Sequence, residues 1–128
     1  MLRLSDDERY VSLATFRRSG EEMRTPVWFV AAPGGRSLWV YTNAKSGKVK
    51  RIRRDPRARI AACDVRGRIH GEWLAARARL IEGDAAQAPA FEALLAKYGW
   101  QMHALRLAAL LGGRWRDRTI VAVELDAP

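Results

Sequence analysis

The stretch Ser37-Leu-Trp-Val-Tyr-Thr-Asn43-Ala-Lys-Ser46-Gly-Lys-Val-Lys-Arg-Ile-Arg-Arg54-Asp-Pro56 changes its period partway along. Ser37 to Thr42 is rich in aromatic and β-branched residues, which suit a pleated strand. From Ser46 the pattern becomes helical. Serine is a good cap, Val49 and Ile52 share a face, and Asp55-Pro56 stops the run. A strand feeding a short helix is therefore the unit around which the rest is arranged. Upstream, Tyr10 to Phe16 alternates with Val11, Leu13 and Thr15 on one face, and Thr25 to Ala31 reads as a strand. Pro26 sits near the start of the latter, where proline is tolerated. Turns at 19–22 and 32–35 join these strands into a meander. Ser5 with Asp6 to Arg9 predicts a short helical lead-in.

Downstream, Arg57 to Asp64 predicts a fourth strand, and Glu72 to Ile81 a fifth. On the fifth, Leu74, Ala76, Ala78 and Leu80 share an apolar face, while Arg77 and Arg79 point the other way. Asp84 and Gln87 resemble a capping box, followed by Phe91, Leu94, Leu95 and Tyr98 at helical spacing. Gly99 ends or bends that helix. A second apolar helix covers about Trp100 to Leu111, and Thr119 to Leu125 is a last strand. Six strands with short connections predict a mostly antiparallel sheet. In 128 residues this favours one domain over residues 1–128: a small barrel with helices packed outside.

The chain carries 23 lysines and arginines against 14 acids, a net charge of +9. Most of the excess is local. Lys45, Lys48, Lys50, Arg51, Arg53, Arg54, Arg57 and Arg59 lie within fifteen residues that hold one acid, Asp55. Lys48 and Lys50 fall in the first turn of the predicted helix and Lys45 just before it. Cations there oppose the helix dipole, at up to ~1 kcal/mol each when exposed. The arrangement makes sense around a bound anion. First-turn N–H groups, the Ser46 hydroxyl and the lysines would converge on a phosphate. The alternative is a solvated basic face.

Several classes are excluded or disfavoured. Cys63 is the single cysteine, and His70 and His103 are the only histidines, so no cysteine-rich zinc site or intrachain disulfide is available. Cys63 reads as a small buried hydrophobe, and both histidines as surface residues. Gly47-Lys48 lacks the earlier glycine of a nucleotide P-loop, and Val49 stands where its Ser/Thr belongs. No apolar run approaches the ~20 residues of a membrane span. The start of the sequence lacks the apolar core of a signal peptide, so a cytoplasmic location is expected. No nucleic-acid-binding signature accompanies the basic run, although Trp39 and Tyr41 beside it leave a stacking platform as an alternative.

Taken together, Arg24-Thr-Pro-Val-Trp-Phe29, Tyr41-Thr42-Asn43 and Ser46-Gly47-Lys48 resemble the pyridoxamine 5′-phosphate oxidase-like split-barrel superfamily. The continuation to Arg59, with Ala62-Cys63-Asp64 and Arg66-Gly67, is similar to its branch of coenzyme F420-dependent oxidoreductases. The resemblance implies a six-stranded antiparallel split β-barrel of the FMN-binding type. It implies a homodimer with cofactor clefts at its interface. Residues Arg24, Thr25, Pro26, Val27 and Trp28 would run along the cofactor ring, with Tyr41, Thr42 and Asn43 beside them. Ser46, Lys48 and Arg24 would hold the phosphate, with Lys45, Lys50 and Arg51 around it. Gly47 stands where the flavin oxidases commonly carry arginine, a departure that suits F420 better than FMN. Arg51, Arg54, Arg57 and Arg59 are candidates to line the route of the acidic F420 tail.

The expected function is hydride transfer between deazaflavin and a small conjugated or unsaturated substrate. The alternatives are an FMN oxidoreductase of the same fold, or a non-enzymatic nucleic-acid-binding module or cofactor carrier. No catalytic side chain is assigned, because the cofactor carries the hard chemistry. Asp64 is a weak candidate proton donor. The segment Arg114 to Arg118 and the pair Arg77 and Arg79 receive no role.

Overall fold

The computed structural model describes residues 4–112 and 117–126. Seven strands and three helices follow one another: β1 (Tyr10–Phe16), β2 (Glu22–Val27), β3 (Phe29–Ala31), β4 (Ser37–Asn43), α1 (Gly47–Arg54), β5 (Arg57–Cys63), β6 (Leu74–Ile81), α2 (Asp84–Tyr98), α3 (Trp100–Leu111) and β7 (Arg118–Leu125). All strands belong to one antiparallel sheet in the order β2-β1-β5-β6-β7-β4-β3. The mainly β architecture with peripheral helices is as the sequence implies. The strand count is not: there are seven rather than six, and the hydrogen-bonded sheet does not close.

The reason lies at Trp28. The single strand expected over Thr25 to Ala31 begins earlier, at Glu22, and divides. Its first part pairs with β1 (Val11 opposite Val27), and its second pairs with β4 (Phe29 opposite Val40). The two outer strands of the sheet are thus consecutive in sequence, and the chain crosses from one edge to the other within one residue. A strand edge left open exposes backbone donors and acceptors. Here side chains satisfy them. Phe29 N donates to Tyr98 Oη at 3.0 Å, and that hydroxyl lies 2.9 Å from Phe29 O and 2.8 Å from Arg9 O. Ala31 N donates to Asp6 Oδ1 at 2.9 Å. The end of α2 and the N-terminal turn therefore stand where a neighbouring strand would be.

Asp6 to Arg9 does not form the expected helical lead-in. Ser5 closes a single turn, with Asp7 N donating to its Oγ at 3.1 Å. Asp6 is drawn away to Ala31 and to the Lys97 ammonium, 3.1 Å distant.

Two apolar clusters occupy opposite faces of the sheet. The inner one includes Val11, Leu13, Phe29, Leu38, Val40, Ile52, Ile60, Leu74, Val121 and Val123. Helix α1 contributes Ile52 to it and buries Val49 nearby. The outer cluster joins Val30 and Ile120 to Ala90, Leu94, Tyr98 and Met102 of α2 and α3, with Trp28, Trp39 and Tyr41 against it. Pro89 lies inside α2, and both helix ends meet at Gly99 with φ +59. No helix of the described residues is long and apolar enough to cross a membrane.

Candidate functional site

The loop between β4 and α1 is held tightly. Ala44 N donates to Asp117 O at 2.6 Å, Lys45 N to Asn43 Oδ1 at 2.8 Å, and Ser46 N to Asn43 O at 3.0 Å. The Lys45 ammonium reaches Asp117 at 3.4 Å. Ser46 is the residue before α1, with φ −70 and ψ 156, and its side chain makes no capping bond. Its Oγ is buried and has no hydrogen-bond partner among the described residues. A buried, unsatisfied hydroxyl costs about 1–3 kcal/mol, and here it stands at the helix end where the first N–H groups also lack intrahelical acceptors.

Cations surround that end. Lys48 is half-buried and pairs with no acid of the described residues. Burial first, then the Arg51 charge, holds its ammonium below the usual lysine range. Arg51 donates from Nε to Thr15 Oγ1 at 2.7 Å, a neutral and buried acceptor. Its own pKa is lowered by burial and by the Arg17 and Arg54 charges. A Cβ placed on Gly47 would come within 2.8 Å of the Arg51 guanidinium. Arg51 therefore occupies the space that a side chain at position 47 would take. Arg54 donates to Phe16 O. Mutually repelling, partly desolvated cations stand beside an orphaned hydroxyl at a helix start, a grouping whose charge is suited to an oxyanion.

The other expected residues are distributed as follows. Thr42 is buried and pairs with Thr119, Asn43 builds the loop as above, and Lys50 is exposed on α1. Val27 lies in the inner core, and Thr25 pairs with Leu13 on the same face of β2. Pro26, opposite Ser12, lies on the outer face near Gly67. Trp28 stacks on Tyr98 with ring centroids 4.5 Å apart, and Tyr41 meets Phe91 edge-on at 6.0 Å.

Arg24 does not join the group around Ser46. By strand alternation it shares a face with Ala14, whereas Thr15, which holds Arg51, is on the opposite one. Its guanidinium engages Glu22 at 3.2 Å and stacks over Trp73 at 4.6 Å. Arg59 does the same from the other side, donating to both Glu22 oxygens at 2.8 Å and lying 4.7 Å over Trp73. Burial opposes ionisation of Glu22, but the bonds from Arg59 and Arg24 outweigh it and leave the carboxyl below its usual range. Sequence reading missed this cluster. Its three parts, Glu22 with Arg24, Arg59 and Trp73, come from separate stretches of the chain, and the register of β1, β2 and β5 brings the first two together. Arg57, too, is committed, to Asp55 at 2.8 Å.

Asp64 caps its own turn, accepting from Arg66 N and Arg68 N at 2.9 Å each and from Arg68 Nε at 2.7 Å. Cys63 is buried, and burial together with Asp64 and Glu8 pushes its thiol up to about 11. His70 is exposed and bonded to Glu8 at 2.7 Å, and His103 is exposed on α3. Among the described residues no three side chains are grouped to hold a metal. Of the segment Arg114 to Arg118, residues 114–116 lie outside the described residues.

Among solved structures, the chain is similar to conserved hypothetical protein Rv2991 of Mycobacterium tuberculosis. The TM-score is 0.70 at 21% identity, over 95% of this chain and 76% of that one. It is also similar to HutZ, the heme storage protein of Vibrio cholerae, with TM-score 0.71 and 13% identity over 94% and 84% of the two chains. A third likeness is to a protein from Clostridium acetobutylicum related to general stress protein 26 and described as of the pyridoxinephosphate oxidase family. There the TM-score is 0.64 at 17% identity, over 91% and 75%. These likenesses concern the fold. A search of curated protein sequences finds no significant match. The family model for pyridoxamine 5′-phosphate oxidase matches residues 2–125, nearly the whole length. That match places the chain in the pyridoxamine 5′-phosphate oxidase family.

Proposed function

We propose that this protein is an oxidoreductase that binds coenzyme F420 and reduces or oxidises a small conjugated or unsaturated molecule. The observation that carries the reading is the buried, unpartnered Ser46 Oγ at the start of a helix whose first turn bears lysine and no acid. A cofactor phosphate would accept from that hydroxyl, from the first-turn N–H groups and from Lys48, with Arg51 behind Gly47 completing the charge. The residues present therefore fit a phosphate-bearing cofactor.

When bound, the deazaflavin supplies the hydride. The chain's part is to fix and shield it. Asn43 and Asp117 hold the loop that presents Ser46. Tyr41, braced edge-on by Phe91, and Trp28, braced by Tyr98, offer rigid apolar walls. Lys50, Arg51 and Arg54 are the cations offered to an acidic tail. Arg57 and Arg59 drop out of that role, being held by Asp55 and Glu22. A homodimer fits this reading, since α3 leaves Trp100, Leu107, Leu110 and Leu111 exposed.

The test is a spectral titration of the purified protein with F420 and with FMN, together with sedimentation to read the oligomeric state. Saturable F420 binding to a dimer is expected. Tight FMN binding without F420 binding would replace the reading with a flavin-dependent one. Binding of neither, with salt-sensitive oligonucleotide binding, would replace it with a nucleic-acid module.

A further inference from the structure

We propose that the cavity between α2 and α3 is a second binding site, for a small organic anion of the apolar or aromatic carboxylate class. The cavity holds about 260 Å³, just under the usual lower limit of about 300 Å³ for ligand pockets, which restricts it to small molecules. Phe91, Leu95 and Met102 give it an apolar wall. Its charged groups are arranged by depth. Arg118, at the start of β7, is sunk, with a side chain 22% exposed, whereas Asp84 at the rim is 93% exposed. Glu92 and Arg106 are also exposed. The charge that an entering ligand meets in partly dry surroundings is therefore positive.

The Asp84 carboxylate lies 3.5 Å from the Arg118 guanidinium, which also stacks on Phe91 at 5.5 Å. An ion pair with so exposed a partner contributes little, about 0–1 kcal/mol. A carboxylate seated inside the cavity would meet the same planar guanidinium with less competition from water, and its apolar body would cover the wall beneath. The site is distinct from the one at Ser46 but adjoins it through β4: Arg118 is paired with Asn43, and Phe91 touches Tyr41. The proposal does not depend on the identity of the cofactor.

The test is titration of the full-length chain with benzoate and with its neutral isostere benzamide, followed by backbone-amide NMR shifts. Saturable benzoate binding is expected, with shifts in α2, α3 and the start of β7, and at least tenfold weaker binding of benzamide. Arg118→Gln should weaken benzoate at least tenfold. Ala88→Trp keeps every charge while filling the lining, and should weaken both probes. Equal affinities for the two probes would overturn the proposal. So would absence of saturable benzoate binding, shifts confined elsewhere, or unchanged benzoate affinity in either folded variant.

Discussion

The basic run treats its charge differently in its two halves. In α1, Lys48 pairs with no acid of the described residues, and Arg51 leans on a threonine hydroxyl. In the strand that follows, Arg57 is closed by Asp55 and Arg59 by both oxygens of Glu22, with Arg24 and Trp73 completing the stack. Arg53 of α1 also meets an acid, Glu82, at 3.5 Å, and Lys45 meets Asp117 at 3.4 Å, so the cations left open to a partner are Lys48 and Arg51 beside Ser46. Net charge alone does not locate a binding site. The unpaired, partly buried fraction of it does.

The difference can be broken first at its foundation. Ile52 fixes α1 to the inner core at 3% exposure, so Ile52→Ala should cost about 2–5 kcal/mol. Urea unfolding should show the loss, with weakened phosphate binding at native conditions. If α1 were a loosely attached basic face, the midpoint would barely move. The neutralised half should respond to loss of its acid. Glu22→Gln is expected to destabilise by about 1–2 kcal/mol, with no effect on cofactor affinity.

Because the folded Glu22 pKa lies below its usual value, the stabilisation is present above the unfolded carboxylate pKa of about 4.3. It is lost as pH falls through the folded value. The gap between wild type and Glu22→Gln should therefore close as urea midpoints are measured from pH 6 downward into that acid range. A gap that widens on acidification would contradict the pairing.

The smallest effect carries the sharpest sign. An N-cap serine replaced by alanine ordinarily costs about 1 kcal/mol. Ser46 makes no such bond, and its Oγ is buried without a partner. Ser46→Ala should therefore leave the ligand-free protein unchanged or stabilise it by up to about 1 kcal/mol, while weakening phosphate binding. Calorimetric melting with and without inorganic phosphate separates the two outcomes.

Much of this was legible in the residues. The strand-to-helix switch at Tyr41 to Ser46, the inward stripe of β6, the stop at Asp55-Pro56 and the buried Cys63 all follow from local pattern. What was not legible depends on pairing across the fold. Nothing in Glu22 to Ala31 marks Trp28 as a crossing point, because alternation continues through it and only the identity of the neighbouring strand changes. The Asp6 turn reads as a helix start until Ala31 and Lys97 take its acid. The gathering of Lys45, Lys48 and Ser46 at the start of α1 is legible because the dipole rule is local. Arg24 could not be separated from them, since the face of β2 that it uses is set by register with Ala14 and Arg59.

The central claim is that the open half of the basic run holds the cofactor phosphate. Its most direct test compares the F420 affinity of Lys48→Ala and Arg59→Ala with that of the wild-type protein. Loss of one charged contact corresponds to roughly tenfold or more, so Lys48→Ala should bind at least about tenfold more weakly and Arg59→Ala within about twofold of wild type. Equal losses in both variants, or a greater loss for Arg59→Ala, would contradict the account.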